Sequence, residues 1–237
     1  MLRGDSAKAP VLLYLAGGPG GTDLGSMRLF GEPLERDVDT DTRPSCHDTI
    51  ELVEQLSARF HKDKVYVVGN FWGTLLGVLA VWKRPDLFAA YVGAGQMVSP
   101  PATDRMFYED TLAWARRSGN DGLLRTLMRN GRPPYDDIYK YEPALSCEHD
   151  WNDYPMVPAY AEKGELPAFA VLYPRLQDLD FHTQATRLQT PVYVVTGEHE
   201  TRGRVVPARE WFDLLDAPSK QWIVENRHES QPKRPWM

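Results

Sequence analysis

The stretch Lys64-Val65-Tyr66-Val67-Val68-Gly69-Asn70-Phe71-Trp72-Gly73-Thr74-Leu75-Leu76-Gly77 decides the fold. Its first half is β-branched and apolar, the pattern of a strand buried in a parallel sheet. Its second half turns to a helical period with almost no residues left over for a loop. A strand that passes straight into a helix needs a sharp turn, and Gly69 and Gly73 allow the two backbones to approach there.

Working outward, Pro10-Val11-Leu12-Leu13-Tyr14-Leu15-Ala16 reads as an earlier strand, ending in the glycine-rich turn Gly17-Gly18-Pro19-Gly20-Gly21. Ser26 to Glu35 reads as a short helix, and Asp37 to Pro44 as a polar loop. Ile50, Val53, Leu56 and Phe60 fall at helical spacing, which predicts a helix from about Asp48 to His61. The helix after the turn is expected to stop near Lys83-Arg84-Pro85, because proline cannot continue it. Leu87 to Met97 is a further strand tapering into Gly93, Gly95 and Gln96.

From Pro100 to about Asp180 the strand–helix alternation gives way to aromatic helical segments. One carries Met106, Phe107, Leu112 and Trp114, and another Leu123, Leu124, Leu127 and Met128. The acidic cluster Glu148-His149-Asp150-Trp151-Asn152-Asp153-Tyr154 follows, and the whole region reads as a helical insertion. Pro191 to Gly197 restores the strand pattern, then a helix is predicted from about Pro207 to Leu215 and a last strand over Gln221 to Val224. The expectation is an α/β fold: a mostly parallel sheet with helices on both faces and a helical cap. Residues 1–99 would form the first part of the core, 100–180 the cap, and 181–237 the second part of the core.

With 237 residues, 42% hydrophobic and 25% charged, the chain can bury a sizeable core. A net charge of −6 without a block of Lys or Arg argues against nucleic acid as a partner. The longest apolar run, Leu75 to Trp82, is too short to span a bilayer, so no membrane partner is expected. The two cysteines, Cys46 and Cys147, mark neither a disulfide framework nor a metal pair, which fits a reducing, cytoplasmic setting.

The loops Gly17 to Gly21, Asn70 to Trp72, Gly197 to Thr201 and Asn226 to Glu229 all leave the carboxyl ends of strands, where ligands bind on such sheets. Acyl-transfer hydrolysis needs a nucleophile, an imidazole base, a carboxylate to orient it, and backbone donors for the oxyanion. The strand–turn–helix is the architecture of a nucleophile elbow, G-x-S-x-G. Here the frame reads Gly69-Asn70-Phe71-Trp72-Gly73, with phenylalanine at the nucleophile position. Glu200 follows the penultimate strand and His228 the last one, in the chain order nucleophile, acid, histidine. Gly17, Gly18 and Gly20, with the Trp72 N–H, are the oxyanion-donor candidates. Individually His228 reads as a surface histidine and Glu200 as a solvated acid; their places after successive strands favour a shared site. A phosphate loop lacks both glycine–lysine and dinucleotide signatures. A metal site from His149, Asp150, His199 and Glu200 lacks any ligand spacing, so no metal or cofactor is expected. One acid of Glu148, Asp150 and Asp153 could hold a substrate ammonium.

These motifs resemble the α/β-hydrolase superfamily and, more closely, the proline iminopeptidase-like hydrolases. The resemblance runs from Leu13-Tyr14-Leu15-Ala16-Gly17-Gly18-Pro19-Gly20-Gly21, where the family has H-G-G-P-G. It continues through Val68 to Gly77, where the family has G-H-S-W-G-S/T-L-L, to the acid loop Gly197-Glu198-His199-Glu200 and His228. It implies release of N-terminal residues from peptides, or cleavage of a small ester or amide substrate, without a cofactor. The departures are Phe71 for serine, Asn70 and Ala16 for histidines, and Arg227 for the small residue before His228. The interval Asp37 to Pro44 is also too short for the family's D-Q-R-G strand, and family elements at both ends look missing. Phenylalanine cannot attack a carbonyl, so the expectation is a chain with hydrolysis lost or strongly impaired. The alternative is a non-catalytic module that binds a small molecule or peptide beneath a cap bearing Phe107, Trp114 and Tyr154.

Overall fold

The computed structural model describes residues 9–17, 46–145 and 165–225. Among the described residues five strands form one sheet in the order β1-β2-β3-β4-β5: Leu12–Leu15, Val65–Asn70, Phe88–Ala94, Val192–Gly197 and Lys220–Glu225. Every neighbouring pair is parallel, so all five carboxyl ends share one edge. β1 pairs directly with β2 through four residues, from Leu12↔Tyr66 to Leu15↔Gly69, and leaves no gap between them. The expected short N-terminal helix, the D-Q-R-G interval, the acidic cluster and the chain ends lie outside the described residues.

Helix α1, Cys46–Phe60, precedes β2, and α2, Trp72–Lys83, follows it. α2 ends at Lys83 with Arg84 as its C-cap, just before Pro85, whose missing N–H and pyrrolidine ring stop it. After β3 the described residues form the helices α3 Pro100–Ser118, α4 Asp121–Asn130, α5 Ile138–Leu145 and α6 Glu165–Leu176. The short α7, Phe181–Gln184, leads back to β4, and α8, Arg202–Leu214, joins β4 to β5.

Two apolar clusters organise these elements. In the sheet cluster, the cross-strand row Leu13, Val67, Tyr91 and Val192 packs with Val53 of α1, Leu75 and Val78 of α2, and Trp211 and Phe212 of α8. Side chains alternate along strands, and Leu12, Tyr66 and Ile223, at the intervening positions, are exposed. The second cluster belongs to the residues between β3 and β4: Phe107, Tyr108, Leu127, Tyr135, Ile138, Tyr141, Ala144 and Tyr173. Tyr141 stacks on Tyr173 with ring centroids 5.9 Å apart.

Helix α8 starts earlier than the sequence predicts. It begins at Arg202 and carries Pro207 inside it, whereas proline's preference for the first helical position predicts a start near Pro207. A proline within a helix leaves the carbonyl four residues earlier without its N–H. That carbonyl, Gly203 O, instead accepts from the Thr103 hydroxyl of α3 at 2.8 Å. A tertiary hydrogen bond therefore replaces the helical one.

Candidate functional site

The candidate site lies at the turn between β2 and α2. Phe71 sits at φ 44°, ψ −110°, a left-handed conformation that costs a bulky residue on the order of 1–3 kcal/mol. The turn is held by its neighbours. The Phe71 N–H donates to Ala94 O of β3 at 3.0 Å, and the Thr74 N–H donates back to Phe71 O at 2.9 Å. The Thr74 hydroxyl also donates to Phe71 O, and accepts from the Met97 N–H at 3.0 Å. Tyr91, fully buried under α2, donates to Gln96 Oε1 at 2.6 Å and bonds Thr74 O at 3.2 Å; burial pushes its hydroxyl well above the usual phenol range.

The glycines explain why the turn can be so tight. A Cβ on Gly69 would stand 2.6 Å from Gly73 O, and one on Gly73 would stand 2.0 Å from Leu15 O. Strand β2, helix α2 and the end of β1 thus approach backbone to backbone. Gly17 lies beside the turn: its Cβ would be 3.2 Å from both Asn70 O and Phe71 Cβ. Gly95, at φ +59°, lies under the Phe71 ring, where a Cβ would be 2.9 Å from Cε1. The ring at position 71 is partly exposed and rests on these two glycines. Trp72 opens α2, so its backbone N–H stands at the helix N-terminus.

The loop that carries Glu200 follows β4. The Glu198 N–H donates to Glu225 O at the end of β5 at 3.2 Å. Glu200 receives three donors on Oε1: the Thr201 N–H at 2.9 Å, the Thr201 hydroxyl at 3.3 Å and Arg204 Nε at 2.7 Å. Arg204 in turn lies 5.1 Å from the centroid of the Phe71 ring. The structure therefore brings Gly17, Phe71 and Trp72 together directly, and joins Glu200 to them through Arg204. His228, Gly18 and Gly20 lie outside the described residues. His199 points elsewhere, with Nε2 3.4 Å from Glu198 Oε1. Among the described residues no group of three His, Cys, Asp or Glu side chains is placed to hold a metal ion, and no helix is long and apolar enough to cross a membrane.

Sequence reasoning misses Arg204 and Asp104. Arg204 is four residues after Glu200, a spacing that pairs charges on a helix, but the sequence predicts a helix start only near Pro207. Asp104 looks like one more acid on an amphipathic helix, yet it is buried. Its Oδ2 accepts from Tyr173 Oη at 2.6 Å and from Gln177 Nε2 at 3.0 Å. Burial still dominates those hydrogen bonds and raises its carboxyl to about 6.

A parallel sheet, a left-handed strand–helix turn at its carboxyl edge, and a helical insertion between β3 and β4 make up the α/β-hydrolase fold, and the chain has that fold. Solved structures agree. A proline iminopeptidase-related protein from Thermus thermophilus superposes with a TM-score of 0.60 at 18% identity, covering 92% of this chain and 82% of that one. An α/β-hydrolase enzyme from a Medee basin deep-sea metagenome library gives 0.51 at 14% identity, covering 92% and 82%. In sequence the chain is similar to the probable aminopeptidase YbaC of Bacillus subtilis (strain 168), 26% identical over 94% of this chain and 84% of that protein. That alignment extends over 270 positions, more than the chain's 237 residues, so the relative carries segments this chain lacks. No family model matches the chain.

Proposed function

We propose that this chain is an aminopeptidase-type α/β hydrolase, of the kind that releases N-terminal residues from peptides, in which hydrolysis is lost or strongly reduced. The observation that carries the reading is Phe71 itself: it holds a strained, positive-φ conformation at the strand–helix turn, where the resemblance puts the nucleophile, and has no atom that can attack. The similarity to a probable aminopeptidase supports a peptide substrate class. In this reading Glu200 is the acid, His228 the imidazole base, and the N–H groups of Gly17, Gly18, Gly20 and Trp72 the oxyanion donors. The hydrogen bond from Glu198 to Glu225 O supports the pairing, because His228 follows Glu225 by three residues. Without a nucleophile, residual catalysis of roughly 10³–10⁴ over water is the ceiling that binding and oxyanion donors provide. Residues 100–180 would serve as the cap, and the setting would be cytoplasmic.

Turnover of proline-arylamide and short acyl esters tests the reading. The chain as it stands should show no more than the residual rate, and Phe71→Ser should raise it in a way that His228→Ala abolishes. Robust turnover by the unmodified chain that survives His228→Ala would overturn it. A second reading, a module that binds a small molecule or peptide without cleaving it, rests on the aromatic residues Phe107, Trp114 and Tyr154, of which Phe107 is buried in the cluster between β3 and β4 and Tyr154 lies outside the described residues; calorimetry with short peptides separates the two.

A further inference from the structure

Three separate parts of the chain meet on one guanidinium. Arg204, in the first turn of α8, donates from Nε to Glu200 Oε1 at 2.7 Å. Its Cζ lies 5.1 Å from the centroid of Phe71, at the β2–α2 turn, and 5.3 Å from that of Phe107, on α3. The Arg204 and Glu200 side chains are only 14% and 12% exposed, so their ion pair is screened far less than a surface pair. The backbone around it is fitted to the same contact: a Cβ on Gly203 would stand 2.6 Å from the Phe107 ring, so only glycine lets α8 come this close to α3.

Two aromatic rings and a carboxylate are the chemistry that selects a guanidinium over other cations. The planar, weakly hydrated ion lies against ring faces while donating in its own plane to the acid; a compact ammonium does only one of these well. We propose that Phe71, Phe107 and Glu200 form a guanidinium-binding cage that Arg204 fills from within the chain. Phe71 is then a wall of a joint between core, acid loop and first cap helix. The proposal is independent of whether hydrolysis is lost, since it concerns only what the ring at position 71 holds. Arg204 is tethered four residues from Glu200, and that effective concentration excludes a competing guanidinium from the intact chain. Removing the arginine side chain empties the cage for a ligand of the same head group.

The test is thermal unfolding of Arg204→Ala with millimolar ethylguanidinium, with ethylammonium as the control. The variant should unfold at a lower temperature than the unmodified chain. Ethylguanidinium should raise its midpoint in a saturable way and leave the unmodified chain unchanged. Ethylammonium should bind roughly tenfold more weakly, the loss of about one desolvated ring contact. In Arg204→Ala/Phe71→Leu, with one wall removed, ethylguanidinium should weaken by a similar factor. A folded Arg204→Ala that ethylguanidinium does not stabilise, or stabilises no better than ethylammonium or than it does the unmodified chain, would overturn the proposal. If Arg204→Ala is recovered unfolded, refolding it with and without ethylguanidinium decides: recovery only with the ligand supports the cage, and no recovery contradicts it.

Discussion

The hydroxyl of Thr103 donates to Gly203 O at 2.8 Å, and this is the carbonyl that Pro207 deprives of its helical donor. Helix α3 therefore completes the hydrogen bonding of α8. Both residues are buried, so the bond is shielded from water.

Thr103→Val should destabilise the chain by about 1–3 kcal/mol, the cost of leaving a buried carbonyl without a donor. In a Pro207→Ala background the N–H of residue 207 becomes available to Gly203 O, and the same substitution should cost less than about 1 kcal/mol. Urea unfolding of the four chains measures the difference. An equal cost in both backgrounds would show that the bond does not compensate for the proline.

Gly73→Ala should be among the most damaging single changes, because its Cβ would fall 2.0 Å from a backbone oxygen of β1 that cannot move aside alone. Gly203→Ala meets the Phe107 ring at 2.6 Å and, less closely, Thr103 O at 3.3 Å, and overpacking of that kind costs about 1–3 kcal/mol. Circular dichroism and denaturant midpoints should rank the two in that order.

Much of the fold is legible in the sequence because local pattern and tertiary role agree. The β-branched run Val65 to Val68 becomes β2, the Gly69/Gly73 pair becomes a close backbone approach, and Pro85 ends α2. The turn at Phe71 is legible for the same reason, since the glycine frame specifies it whatever residue sits between. Pro207 misleads because a tertiary donor, Thr103, substitutes for the helical one, which no local signal reveals. Arg204 is hidden by that displaced helix start. Asp104 is hidden because its burial depends on Tyr173 and Gln177, about seventy residues away.

Asp104 gives the pH dependence a definite sign. Its folded-state value is raised to about 6 from 3.8, so the folded chain holds this proton more tightly than the unfolded chain does. Its contribution is fully present below about pH 4 and is lost as pH rises through 6. The span corresponds to about 3 kcal/mol. Asp104→Asn, which stays neutral, should flatten the stability profile between about pH 4 and 7. Urea midpoints across that range measure it, and an unchanged slope in the variant would assign the dependence to other groups.

The most direct test of the central claim is covalent labelling with a fluorophosphonate, read by intact mass and peptide mapping. The reagent needs an activated hydroxyl at the turn and nothing else of the substrate. The account predicts no adduct on the unmodified chain, and a single adduct at position 71 in Phe71→Ser that is lost when His228→Ala is added. Stoichiometric labelling of the unmodified chain would contradict it, because a nucleophile would then exist where Phe71 leaves none.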